Sequence, residues 1–178
     1  MKSMQSVSKE SHMVAMLAAF CMFFSMIEYL IPKPLPFMRL GLANLPILIA
    51  LFLLPDRKIL LLIFLKVLGQ GLVNGTLFSY IFLFSAAGSF SSGLVMLLVY
   101  KAGGKRISLI GICLAGALVS NMVQLVLARF FIFGRSAFII GPPFLIIGTV
   151  SALILGIFAE RFKDRSRWFA DQMGALDE

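Results

Sequence analysis

The chain has 178 residues, of which 60% are hydrophobic and only 13% charged, and its mean hydropathy is +1.00. Soluble domains carry about 45–50% apolar residues, so this composition excludes a water-soluble fold and leaves little chain for any soluble domain. The net charge of +8 does not indicate nucleic-acid binding, because the basic residues sit in short gaps between apolar runs rather than along one solvated face.

A spanning helix takes about 20 apolar residues, so a chain of this length is expected to hold about six spans with short loops. The first helix is predicted over residues 12–31. Its apolar core exceeds the roughly 7–15 residues of a signal-peptide core, and no small-x-small cleavage pattern closes it, so it reads as a real span. Pro32-Lys33-Pro34-Leu35-Pro36 ends that helix in a proline-rich hairpin, since proline lacks the amide donor and restricts the residue before it. The second run, 42–54, is marginal as a span and is expected to be short, tilted or partly re-entrant.

Helices three and four are predicted over 58–80 and 86–101, either side of the small, turn-compatible cluster Ser85-Ala86-Ala87-Gly88-Ser89. A basic loop with Gly103-Gly104 leads to helix five over 107–129. An irregular aromatic segment with glycine and proline precedes helix six over 143–161. The tail from Glu160 to Phe169, with Trp168 and alternating charges, reads as an interfacial end to that helix. The predicted fold class is an all-α integral membrane protein, a bundle of about six transmembrane helices forming one domain over 1–178.

Orientation follows from Lys and Arg, which are in excess in cytoplasmic loops. Lys2, Lys9, Arg57, Lys58, Lys101, Lys105, Arg106, Arg161, Lys163, Arg165 and Arg167 fall on one side, against Lys33, Arg39, Arg129 and Arg135 on the other. Both termini are therefore expected in the cytoplasm, and the location is expected to be a bacterial cytoplasmic membrane.

Polar side chains inside a membrane are costly and usually face a cavity or a partner. Lys66, Gln70 and Asn74 recur every four residues, which puts them on one helix face. Asn121 and Gln124 are one turn apart on helix five. Glu28 near the outer end of helix one, and Arg39 and Asn44 near the outer start of helix two, are expected in the same layer, with Arg129 a further candidate. Interhelical hydrogen bonds account for single amides, but not for a cluster in one leaflet that includes ionisable Lys66 and Glu28. These residues are expected to bind a small ligand from outside. Cations outnumber the one carboxylate, so a ligand with a carboxylate, phosphate or polarised carbonyls suits them. A Lys66–Glu28 ion pair is the structural alternative.

Ala15 and Ala19 make a small-xxx-small face on helix one that lets another helix approach closely, with internal packing as the alternative. Gly71 with Gly75 and Ala152 with Gly156 share the spacing. Cys21 and Cys113 lie inside apolar runs and read as small core residues rather than a disulfide or metal pair. No metal or other cofactor is expected.

The segments Arg39-Leu40-Gly41-Leu42-Ala43-Asn44, Gly88-Ser89-Phe90-Ser91-Ser92-Gly93-Leu94-Val95-Met96 and Gly116-Ala117-Leu118-Val119-Ser120-Asn121-Met122-Val123-Gln124 resemble a family of small bacterial membrane proteins. That family is labelled heptaprenyl diphosphate synthase component I, or Gx transporter family, and the resemblance covers nearly the whole chain. The family is similar to the substrate-binding components of energy-coupling factor vitamin transporters. The resemblance implies six helices that bind a vitamin-like ligand from outside. It also implies an alanine pair on helix one, matched by Ala15 and Ala19, that contacts a transmembrane coupling subunit served by ATPase subunits. Where the family pattern often has His before the Asn of the third segment, this chain has Ser120, a departure that bears on ligand choice.

Prenyl diphosphate synthases hold magnesium and diphosphate through paired aspartate-rich motifs. The acidic residues Glu10, Glu28, Asp56, Glu160, Asp164, Asp171, Asp177 and Glu178 form no DDxxD, so catalysis by this chain alone is not expected. A G-x-x-x-x-G-K-[ST] phosphate loop is also absent from the sequence, so ATP hydrolysis is expected from partner subunits. Two other functions compete with ligand capture: a membrane anchor for an isoprenoid or redox enzyme whose polar layer is structural or holds a lipid head group, and an autonomous carrier, for which inverted repeats are not visible.

Overall fold

The computed structural model describes residues 2–32, 38–103 and 107–177. The proline-rich hairpin at 33–37, and Lys105 and Arg106 of the basic loop, lie outside them. The described residues form α1 (Lys2–Leu30), a 3-10 turn (Leu42–Asn44) that runs into α2 (Leu45–Leu53), α3 (Asp56–Val73), α4 (Tyr80–Gly103) and α5 (Leu109–Ala128). A π turn (Arg129–Phe133) and a 3-10 turn (Gly134–Ser136) then lead into α6 (Ala137–Arg165) and α7 (Arg167–Asp177). The architecture is that of an all-α membrane protein. Three stretches, Lys9–Leu30, Tyr80–Gly103 and the run Leu109–Arg165 that holds α5 and α6, are long and apolar enough to cross a membrane.

α2 is the centre of the bundle. It is apolar on every side, and a helix of that kind has to be enclosed; Ile47, Leu48 and Ala50 are fully buried. It touches α1, α3, α4, α5, α6 and α7. Its nine residues rise only about 14 Å, less than half of a roughly 30 Å hydrocarbon core. Around it, α1 packs on α3, α3 on α4, α4 on α5 and α5 on α6. The outward faces of these helices carry Phe23, Leu98, Val126, Ile146, Ile154 and Phe158, all exposed, as lipid contact requires.

The boundary between helices three and four differs from expectation. Ser85-Ala86-Ala87-Gly88-Ser89 is not a turn but lies inside α4, and the chain turns at 74–79 instead. The third helix ends at Val73 because Gly75 takes φ +64°, and the N–H groups of Gly75 and Thr76 close back onto the carbonyls of Leu72 (3.1 Å) and Gly71 (2.9 Å). That pair of bonds is the Schellman stop, which needs a left-handed residue that glycine supplies without a Cβ clash. The small residues at 85–89 let α4 approach its neighbours, and Ser85, Gly88, Ser89, Ser92 and Gly93 are buried there.

Other boundaries move outward. α1 begins well before residue 12, and α6 begins at Ala137 and carries Pro142 and Pro143 inside it. These prolines fall in its second turn, and membrane helices tolerate such breaks where neighbours satisfy the freed backbone. The segment expected to be irregular between helices five and six is almost wholly helical, formed by the π and 3-10 turns and the start of α6. After α6 the chain caps at Ser166, whose hydroxyl accepts the N–H of Phe169 at 3.2 Å, and continues as α7.

Candidate ligand site: a buried polar layer

A stripe on α3 sets the layer. Lys66 and Gln70 are 3% and 1% exposed, although apolar residues surround them in sequence. Lys66 lies about 12 Å along the axis from Lys58, well inside the bundle. Its ammonium donates to the side-chain oxygen of Asn44 and to Ser89 Oγ at 3.3 Å. One turn further, Gln70 Nε2 donates to Ser85 Oγ at 2.5 Å. At the capping position of α3, Asn74 Nδ2 donates to Ser25 Oγ on α1 at 3.2 Å.

The segment 38–44, which leads into α2, contributes to this layer. Glu28, 2% exposed, accepts the backbone N–H of Leu40 at 2.9 Å and of Gly41 at 3.2 Å. Gly41 takes φ +91°, a backbone conformation that presents both amides to one carboxylate and that suits glycine. Ser151 of α6 donates to the carbonyl of Leu40 at 2.7 Å. Burial lowers the Arg39 guanidinium from its ordinary range, and the neighbouring Glu28 carboxylate opposes that shift.

Glu28, Arg39, Asn44, Lys66, Gln70 and Asn121 surround one cavity of about 30 Å³, together with Ser89, Ser120 and Gly148. A space of that size holds one or two water-sized groups. A second cavity of about 20 Å³ lies against Glu28 and Arg39 and is lined by Ser25, Tyr29, Asn74 and Thr76. Glu28 and Arg39 therefore stand between the two.

Of the residues expected to act together, Asn74 faces the second cavity and Gln124 lines neither. Gln124 is fully buried and donates to Ser120 Oγ at 3.2 Å. Arg129 does not join the layer: it is exposed and stacks over the Phe138 ring at 4.8 Å, because α5 has already left its regular helix at that point. Glu28 is drawn to the backbone amides of Leu40 and Gly41 and does not bond Lys66 among the described hydrogen bonds.

Two features of the layer escape a reading of ionisable and amide residues. One is the hydroxyl set Ser85, Ser89 and Ser92 on α4, all buried; their four- and three-residue spacing is the available signal. The other is Thr76, buried at the turn. Gln70 Oε1, Gln124 Oε1, Ser92 Oγ and Thr76 Oγ1 are buried with no hydrogen-bond partner, which is uncommon for buried polar atoms. The layer thus carries a cation, a carboxylate held by backbone, and acceptors with unused capacity.

Ala15 and Ala19 are exposed on α1, so neither is consumed by packing inside the bundle. Cys21 and Cys113 are both buried and unpaired with each other. Among the described residues, no group of three or more His, Cys, Asp or Glu side chains is placed to hold a metal ion.

No curated protein and no solved structure matches the chain. A family model described as heptaprenyl diphosphate synthase component I matches residues 17–162, from α1 through most of α6 and across the whole polar layer. The chain therefore belongs to the heptaprenyl diphosphate synthase component I family.

Proposed function

We propose that this protein is a membrane-embedded, non-catalytic binding component of an energy-coupling-factor-type uptake system. It captures a small vitamin-like or anionic molecule from the outer side, with Glu28, Arg39, Asn44, Lys66, Gln70, Asn74, Asn121 and Gln124 as its binding residues. Energy comes from a transmembrane coupling subunit and ATPase subunits, and Ala15 and Ala19 form the contact with the former. The observation that carries this reading is Lys66, 3% exposed, lining one cavity with Gln70, whose Oε1 is buried with no hydrogen-bond partner. A buried cation beside unused polar atoms is costly unless a further group completes the set.

Capture requires the layer to open, because about 30 Å³ is far below the roughly 300–1,000 Å³ of ordinary ligand pockets. The segment 38–44 is the part that would have to move: hydrogen bonds tie it to α1, α3 and α6, and Met38 and Ala43 anchor it in the bundle.

The same small volume favours a second reading, a non-catalytic membrane subunit of an isoprenoid enzyme. The family description names a synthase component, which implies a partner component carrying the chemistry. Purification of the tagged chain from its native membrane, with identification of its partners, separates the two. An ATP-binding-motif subunit lost on Ala15→Trp supports uptake; a soluble prenyl synthase retained by that variant supports the second reading.

A further inference from the structure

The ring of helices around α2 has a gap. α1 and α6 flank an apolar groove of about 410 Å³ floored by α2, with Met16 and Phe20 of α1, Ile49 of α2, Phe158 and Phe162 of α6 and Trp168 of α7 among its walls. Phe20 and Phe158 are 47% and 56% exposed, so the groove opens sideways, toward where hydrocarbon would lie. It ends at the joint of α6 and α7, where Ser166 and Trp168 close it.

Charge is sorted around that end. Phe158 and Phe162 of α6 and Ser166 at its C-terminal cap recur every four residues on the groove side. At about 100° per residue, Arg165 falls beside that face whereas Glu160 and Asp164 fall on the opposite one. Arg167 follows Ser166, and both arginines are exposed. Asp164 precedes Arg165, and Asp171 lies one turn along α7 from Arg167; both are exposed. Arg165 and Arg167 stand either side of Ser166, which with Trp168 closes the groove, and an apolar slot ending next to two cations is complementary to a hydrocarbon chain that ends in a negative head group. Trp168 at the border fits the preference of indole for the membrane interface.

We propose that this groove is a lipid site that takes one acyl chain of an anionic phospholipid, whose phosphate is received by Arg165 and Arg167. The site is independent of ligand capture in the polar layer. It is also distinct from the alanine pair, since Ala15 and Ala19 lie about a third of a turn round α1 from the groove wall.

Trp168 is the only tryptophan in the chain, so its fluorescence reports the groove directly. The full chain is reconstituted in phosphatidylcholine vesicles containing rising fractions of phosphatidylglycerol, or of phosphatidylcholine, brominated on the acyl chain close to the head group. Brominated phosphatidylglycerol is expected to reach half-maximal quenching at a mole fraction about fivefold lower than brominated phosphatidylcholine, in line with the attraction of basic residues to anionic lipid. The double variant Arg165→Gln/Arg167→Gln, altered only at exposed positions, is expected to bring the two curves together, with an unchanged helical circular dichroism spectrum. Equal quenching of the unaltered chain identifies ordinary surrounding lipid and overturns the proposal. Absence of quenching by either lipid shows the groove covered by protein, a partner helix or a second copy, and overturns it as well. Persistence of the preference in the double variant removes the arginines from the site and overturns the assignment.

Discussion

Glu28 and Gly41 are joined by a hydrogen bond of 3.2 Å from the backbone N–H of Gly41 to the Glu28 carboxylate, whose other oxygen takes the N–H of Leu40 at 2.9 Å. A single acidic side chain on α1 thereby holds the segment that leads into α2. Glu28→Ala leaves two amides without an acceptor, each costing about 1–3 kcal/mol when buried. Thermal unfolding of the detergent-solubilised variant is expected at a clearly lower temperature. Glu28→Gln keeps one acceptor oxygen and should lose roughly half as much; equal losses would show that the carboxylate's charge, not its acceptor geometry, holds the segment.

Lys66 tests whether the layer exists for stability. Lys66 donates to two neutral partners, Asn44 and Ser89, so removing its charge leaves hydrogen-bond acceptors rather than a bonded counter-ion unpaired and relieves the cost of burying a cation. Lys66→Met is therefore expected to unfold no earlier than the parent chain while losing ligand retention at least tenfold. A variant that unfolds much earlier would assign Lys66 to holding Asn44 and Ser89 together.

The α5–α6 contact separates backbone from side-chain limits. A Cβ at Gly156 would stand 2.8 Å from the Cα of Ile110, whereas at Gly148 it would meet the Asn121 carboxamide. The first obstacle is helix backbone and the second is the end of a side chain that can turn. Gly156→Ala is expected to destabilise by about 1–3 kcal/mol, as overpacking does, and Gly148→Ala by less, with its larger effect on ligand retention through Asn121. Thermal unfolding and binding of the two variants, measured side by side, check this ordering.

Ala15 and Ala19 are exposed, so Ala15→Trp is expected to leave the unfolding temperature within a few degrees and, under the proposed function, to block assembly with a coupling subunit, read by co-purification. Normal assembly in this variant would remove the alanine pair from the partner interface.

Much of the layer was legible because membrane burial makes polar residues conspicuous. Lys66 and Gln70 announced their shared face by a four-residue spacing in an otherwise apolar stretch. Ser85 and Ser89 did not, since serine and glycine are equally the residues of turns, and only packing against α3 and α5 decides for helix. The stop at Gly75 is hidden for a related reason: the four-residue spacing makes Asn74 a member of the polar stripe, while its place at a helix cap depends on the conformation of the next residue. Nor could residue types disclose that the backbone amides of Leu40 and Gly41 donate to Glu28, or that Lys66 reaches Asn44 and Ser89. The short second run was identifiable as too short to span, but its place at the centre follows from contacts with every other helix.

Native mass spectrometry of the gently solubilised protein and of Lys66→Ala tests the central claim most directly. The account predicts a small anionic or vitamin-like molecule bound to the parent chain, lost from Lys66→Ala while the variant remains folded. A parent chain that carries no small molecule yet stays bound to a soluble prenyl synthase would contradict it.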